Sequence, residues 1–141
     1  MEEAEASRLL MEAARNDDIE EVRVHLAKGA NPDHANRYGE TPIYFSSENG
    51  HVACLRLLLQ AGADTDKARF DGSTPIYVSS MNGHSECLRL LLKAGADKDK
   101  TANGGWTPIC TSSENGNAEC VRLLLEAGAD KDKAANGGWT P

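Results

Sequence analysis

Apolar residues fall into a short motif that the chain spells three times. Cys54-Leu55-Arg56-Leu57-Leu58-Leu59 returns as Cys87-Leu88-Arg89-Leu90-Leu91-Leu92 and as Cys120-Val121-Arg122-Leu123-Leu124-Leu125. Wound as a helix, such a segment is apolar around most of its circumference, too much for one that packs on a single side. It predicts a helix held between its own partner and neighbours on both sides. Upstream of each motif stands a second one: Gly39-Glu40-Thr41-Pro42-Ile43-Tyr44, Gly72-Ser73-Thr74-Pro75-Ile76-Tyr77 and Gly105-Trp106-Thr107-Pro108-Ile109-Cys110. Thr is a favoured N-cap, and Pro at the first helical position loses no needed hydrogen bond. Each Thr-Pro therefore opens a helix of about eight residues, which Asn49-Gly50, Asn82-Gly83 and Asn115-Gly116 end.

The spacing is fixed. Thr-Pro occurs at 41, 74, 107 and 140, 33 residues apart each time. A repeat of this length means stacked units rather than one globule. Residues 36–68, 69–101 and 102–134 read as three regular units, each a helix pair closed by Ala-Gly-Ala-Asp and followed by a polar, hairpin-like turn. Residues 1–35 read as a divergent first unit. Leu9, Leu10, Ala13 and Ala14 recur at helical spacing, and a second helix runs from about Ile19 to Lys28 before Gly29. It lacks Thr-Pro and carries more charge, as a solubilising end cap requires.

Together the Gly-x-Thr-Pro phrase, Asn-Gly-His at 49–51 and 82–84, the Leu-rich helix and the Ala-Gly-Ala-Asp ending resemble the ankyrin repeat, weakly over 1–35 and strongly over 36–141. The resemblance implies an all-α solenoid of stacked helix-turn-helix units joined by hairpin-like turns. It also implies non-catalytic protein binding on a concave face. The family's usual His two residues after the Pro is Tyr44, Tyr77 and Cys110 here. A Tyr hydroxyl is expected to replace that imidazole's bond to the neighbouring turn backbone, and Cys110 to do so poorly. Ser46-Ser47, Ser79-Ser80 and Ser112-Ser113 replace the usual Ala pair, with hydroxyls placed to bond the carbonyl four residues back. Lys98 and Lys131 replace an apolar residue and must snorkel, which predicts looser packing under the later turns.

The sequence stops at Pro141, inside the repeated phrase. Residues 135–141 read as the truncated start of a further repeat. The Leu-rich face of 102–134 is then expected to be partly exposed and to favour self-association; with that face capped, a monomer is expected.

Charge narrows the partners. The 141 residues carry a formal net charge of −7, which argues against nucleic acid, whose phosphates call for clustered Lys and Arg. The longest apolar run is about four residues, far short of the roughly 20 a membrane span needs, and the acidic N-terminus is unlike a signal peptide. A cytoplasmic or nuclear location is expected. Cys54, Cys87 and Cys120 occupy equivalent places and read as buried, reduced, structural thiols.

Candidate chemistry is sparse. Asp64-x-Asp66, Asp97-Lys98-Asp99-Lys100 and Asp130-Lys131-Asp132-Lys133 invite a calcium reading, but the interleaved lysines cancel the charge and no loop glycine with a distal Glu follows. They read as solvated turn charges. His51 and His84 start second helices and read as structural; His25 and His34 have no catalytic setting. Arg23, Arg56, Arg89 and Arg122 form an outer stripe, with Glu86 and Glu119 spaced for helical ion pairs. No nucleophile, metal or phosphate motif appears, so no enzyme activity and no cofactor are expected.

What remains is a recognition surface for a protein or peptide. Its expected residues are Arg37, Tyr38, Glu40, Arg69, Phe70, Ser73, Asn103 and Trp106 from the turns. Glu48, Asn49, Met81, Asn82, Glu114 and Asn115 join them from the ends of first helices. Aromatic and Arg side chains dominate binding hot spots. Trp106 stands between partner contact and packing on its own turn. Two alternatives to an adaptor remain: the N-terminal targeting portion of a longer enzyme, and an inhibitor that occludes an active site.

Overall fold

The computed structural model describes residues 2–133. Among them are eight α-helices and no strand, arranged as four antiparallel pairs: α1 (Glu2–Arg15) with α2 (Ile19–Ala27), α3 (Pro42–Asn49) with α4 (Val52–Gln60), α5 (Pro75–Met81) with α6 (Ser85–Lys93), and α7 (Pro108–Glu114) with α8 (Ala118–Glu126). The first helices α1, α3, α5 and α7 pack in one row, and α2, α4, α6 and α8 in a second. The chain is an all-α repeat solenoid. The segment 135–141, expected to be an incomplete repeat, lies outside the described residues.

The Thr-Pro phrases act as helix starts. Thr41, Thr74 and Thr107 are fully buried, and each Oγ1 accepts the N–H three residues on, from Tyr44, Tyr77 and Cys110, at 3.2 Å. An N-cap of this kind contributes about 1 kcal/mol. In the first unit Asp18 takes the same role for α2, accepting from Glu21 N–H at 3.2 Å. Asp17 stands where the later units have the Gly of Asn-Gly and adopts φ 55°, a left-handed conformation that Asp tolerates better than most residues.

The core runs the length of the stack. Leu10, Val22, Ile43, Leu55, Leu58, Ile76, Leu88, Leu91, Ile109 and Leu124 are essentially sealed from solvent, with Cys54, Cys87 and Cys120 in the same cluster. Each Leu or Ile so buried contributes about 1.5–3 kcal/mol of transfer free energy. All four cysteines are buried free thiols. A second, smaller cluster of Met11, Tyr44, Phe45 and Val78 lies on the first-helix row, with Tyr77 and Met81 against it. The apolar face expected at the last unit narrows: Leu123 and Leu124 are buried, and Leu125 alone of that run is exposed, at 45%.

The serines behave largely as their position predicts. Ser46, Ser80 and Ser112 donate to the carbonyls of Pro42, Ile76 and Pro108, four residues back, at 3.1, 2.7 and 3.0 Å. Ser79 bonds Ile76 O, three back, and the buried Ser47 hydroxyl has no protein partner among the described residues.

The Asp-x-Asp-Lys segments lie at the surface, as read, and also bond from unit to unit. Asp64 N–H donates to Asp33 Oδ1 at 2.8 Å, Asp97 N–H to Asp66 Oδ1 at 3.0 Å, and Asp130 N–H to Asp99 Oδ1 at 2.9 Å. The Lys67, Lys100 and Lys133 ammoniums donate to the backbone carbonyls of the same Asp33, Asp66 and Asp99. Each unit is stitched to its predecessor by the same pair of bonds. Lys98, in the usually apolar place, is half-buried, its stem running beside Gly128 of the next unit.

Candidate functional site

Beyond the stitched segment each connection rises into a tight turn, and consecutive turns are bonded main chain to main chain. Phe70 N–H donates to Tyr38 O at 2.8 Å, and Asn103 N–H to Asp71 O at 2.9 Å. Within the first turn Asn36 Oδ1 accepts from the N–H groups of both Tyr38 and Glu40. Gly72 has φ +83°, and a Cβ there would lie 3.2 Å from Asn103 N, so no other residue lets the turns approach this closely. The third turn is tightened into a single 3-10 turn, Asn103–Gly105.

This framework presents an aromatic pair. The rings of Tyr38 and Phe70 lie 6.1 Å apart at 47°, with the Arg37 guanidinium 4.9 Å from the Tyr38 ring centre and that of Arg69 5.2 Å from the Phe70 ring centre. Phe70 is 71% exposed and Tyr38 40%. Exposed rings held by neighbours in this way are pre-organised for contact.

Arg69, stacked on the Phe70 ring, also lines a shallow groove of about 250 Å³ along α3, α5 and the turns before α5 and α7, with Tyr44, Glu48, Asp71, Tyr77 and Met81 among its walls. Arg69 spans it. Its guanidinium lies 3.5 Å from Glu40 and 3.8 Å from Asp71, with the buried Nε lacking a hydrogen-bond partner among the described residues. Burial pushes the Tyr44 phenol up to about 12, an effect that Arg69 partly offsets. Burial and then the nearby Glu40 raise the Glu48 carboxyl above its usual range, again against Arg69. Tyr77 is raised by burial first; Thr111 hydrogen-bonds it, and Asp71 and Glu114 add to the rise.

These partners revise the expectation for the residue after Thr-Pro-Ile. The groups that act on the Tyr44 and Tyr77 hydroxyls are side chains, Arg69 and Thr111, and no bond from either hydroxyl to the turn backbone is seen among the described residues. Cys110, expected to do this poorly, is the one that reaches a backbone carbonyl, that of Lys133 at 3.6 Å.

The expected surface residues divide. Arg37, Tyr38, Asn49, Phe70, Asn103 and Glu114 are exposed, and Glu40, Glu48, Arg69 and Met81 are half-buried around the groove. Ser73 is 6% exposed, its N–H donating to Asp71 Oδ1, and it is one of the residues that line the groove. Asn82 and Asn115 are exposed, but their amides are committed to the preceding unit, donating to Glu48 O and Met81 O. Trp106 is half-buried with its indole edge against Gly104 of its own turn. Sequence reasoning missed Tyr44, Asp71 and Tyr77 as groove walls; the one hint was a Tyr after each of the first two Thr-Pro-Ile phrases, directly beside a turn.

A second constellation looks chemical. Asp17 Oδ1 accepts from the Cys54 thiol at 3.3 Å, and Asp17 Oδ2 lies 3.7 Å from His51 Nδ1. The carboxylate, not the imidazole, holds the thiol. Burial, then Asp17, pushes Cys54 up to about 12, and burial lifts Cys87 to about 11. A thiol protonated throughout the neutral range is no nucleophile. His84 is seated on the backbone of Gly50, and Asn117 at the equivalent place donates to Ser80 O and Met81 O. Among the described residues no three His, Cys, Asp or Glu side chains stand close enough to hold a metal ion, and no helix is long and apolar enough to cross a membrane. Three of the four arginines of the outer stripe are ion-paired along their helices: Arg23 with Glu20, Arg89 with Glu86, and Arg122 with Glu119 and Glu126.

Comparison with known families gives two matches. A family described as ankyrin repeats (3 copies) matches residues 10–102, and one described as ankyrin repeats (many copies) matches residues 80–125. No curated protein matches the chain.

Proposed function

The chain belongs to the ankyrin-repeat family, and from that premise we propose that it is a non-catalytic adaptor binding a protein or peptide along its concave face. Ankyrin repeats are in general protein-interaction modules. The observation that carries the reading is the Tyr38–Phe70 pair, braced by Arg37 and Arg69 and open to solvent beside a groove. Burying an exposed Phe contributes about 1.5–3 kcal/mol, and Tyr and Arg supply the polar anchoring that hot spots use. Burial holds the Cys54 and Cys87 thiols protonated, so neither is poised as a nucleophile. Four free, buried thiols suit a reducing compartment, the cytoplasm or nucleus.

The test is capture of interacting proteins by the full chain, by Tyr38→Ala/Phe70→Ala, and by an outer-face control, Arg56→Ala. Partners retained by the control and lost from the double variant are expected. Equal capture by all three proteins places binding elsewhere and overturns the assignment.

A further inference from the structure

We propose, building on the interaction reading above, that the groove receives a Lys or Arg side chain of an extended partner segment whose neighbouring apolar side chain lies on the Phe70 ring. The first ground is charge. Glu48 and Asp71 line the groove and Glu40 stands behind Arg69, whereas Arg69 is the single cation among the lining residues. Arg69 is already ion-paired with Glu40 and Asp71, at 3.5 and 3.8 Å. Acidic groups therefore outnumber cations among the groove's charged side chains.

Shape is the second ground. About 250 Å³ falls below the roughly 300–1,000 Å³ of small-molecule sites and suits one long side chain. Tyr77, half-buried, lines it and tyrosine faces attract cations, whereas Tyr44, 1% exposed, offers no open face. Met81 gives an apolar contact for the methylene stem of a Lys or Arg. Third, the Glu48 carboxyl is disfavoured as an anion by burial and by Glu40, so an incoming cation relieves a repulsion already built into the fold. The net charge of −7 draws basic segments toward the chain over longer range. An acidic segment pairing with Arg37 is the competing occupant.

Panning a phage-displayed library of random peptides against the full chain separates these occupants. The expected result is enrichment of peptides with Lys or Arg beside an apolar residue. A selected peptide then loses at least tenfold in affinity against Glu48→Gln/Asp71→Asn, keeps its affinity for Arg56→Ala, and binds more weakly as salt rises. Asn at 71 keeps an acceptor for Ser73 N–H, and circular dichroism checks that the double variant is folded. Enrichment of acidic or uncharged peptides, or affinity indifferent to Glu48→Gln/Asp71→Asn, overturns the inference. If such peptides are nonetheless lost with Tyr38→Ala/Phe70→Ala, the interaction face stands and only the basic side chain falls. Peptides indifferent to both double variants, or no enrichment at all, overturn both.

Discussion

Each connection between helix pairs has a root and a tip only a few residues apart, and the two obey different rules. The roots, Asp64-Thr65-Asp66-Lys67, Asp97-Lys98-Asp99-Lys100 and Asp130-Lys131-Asp132-Lys133, make the same two bonds to the preceding unit every time. The tips share their backbone link but not their side chains: Arg37-Tyr38, Phe70-Asp71 and Asn103-Gly104 occupy matching places. Where a bond serves the stack, repetition holds the residue. Where only the backbone serves the stack, the side chain is free to serve a partner.

Glycine separates the two regions most sharply. Gly62, at a root, and Gly72, at a tip, both have positive φ, +84° and +83°. A methyl group at Gly62 meets nothing within 4 Å, whereas one at Gly72 meets the backbone of Asn103. Gly72→Ala is expected to cost roughly 3 kcal/mol, combining left-handed strain with displacement of the next turn. Gly62→Ala carries the strain alone, roughly 1–2 kcal/mol. Urea unfolding of the two variants measures the gap; equal losses mean that the turns are not in close contact.

A smaller effect marks where repetition resumes after the tip. Thr74 is sealed and caps α5, so Thr74→Ala is expected to lower stability by about 1–2 kcal/mol in the same urea assay. Smallest is Glu48→Gln, on the groove side. A carboxyl whose folded pKa is raised stabilises the fold while protonated, below the usual 4.5, and loses that contribution as pH rises through the folded value. Glu48→Gln is therefore expected to melt slightly higher than the parent at pH 7. Thermal melts across pH should show the difference closing as pH falls below 4.5.

Much of this architecture was legible in the sequence because its determinants are local. Thr-Pro starts, Asn-Gly stops and the Leu-rich helices act within about ten residues, and a pattern repeated every 33 residues announces stacking. The bonds at the roots were not legible because they join residues 31 and 34 apart, such as Asp64 to Asp33 and Lys67 to Asp33, which look like alternating surface charges until the units are piled. Ser73 looked exposed because it sits in a polar turn; only the fold turns it inward. Tyr44 was read against a family His, and its coupling to Arg69 depends on where the next turn lands. At the tips, Tyr38 and Phe70 were legible as surface aromatics, but their mutual contact spans 32 positions and came only with the stack.

The measurement that bears most directly on the division between root and tip is equilibrium urea unfolding of Asp66→Ala beside Phe70→Ala. Asp66→Ala strips the acceptor from Asp97 N–H and is expected to lose about 1 kcal/mol. Phe70→Ala removes a side chain that is 71% exposed and is expected to stay within about 0.5 kcal/mol of the parent. A Phe70→Ala protein that loses as much stability as Asp66→Ala would make the tip a structural element and contradict the account.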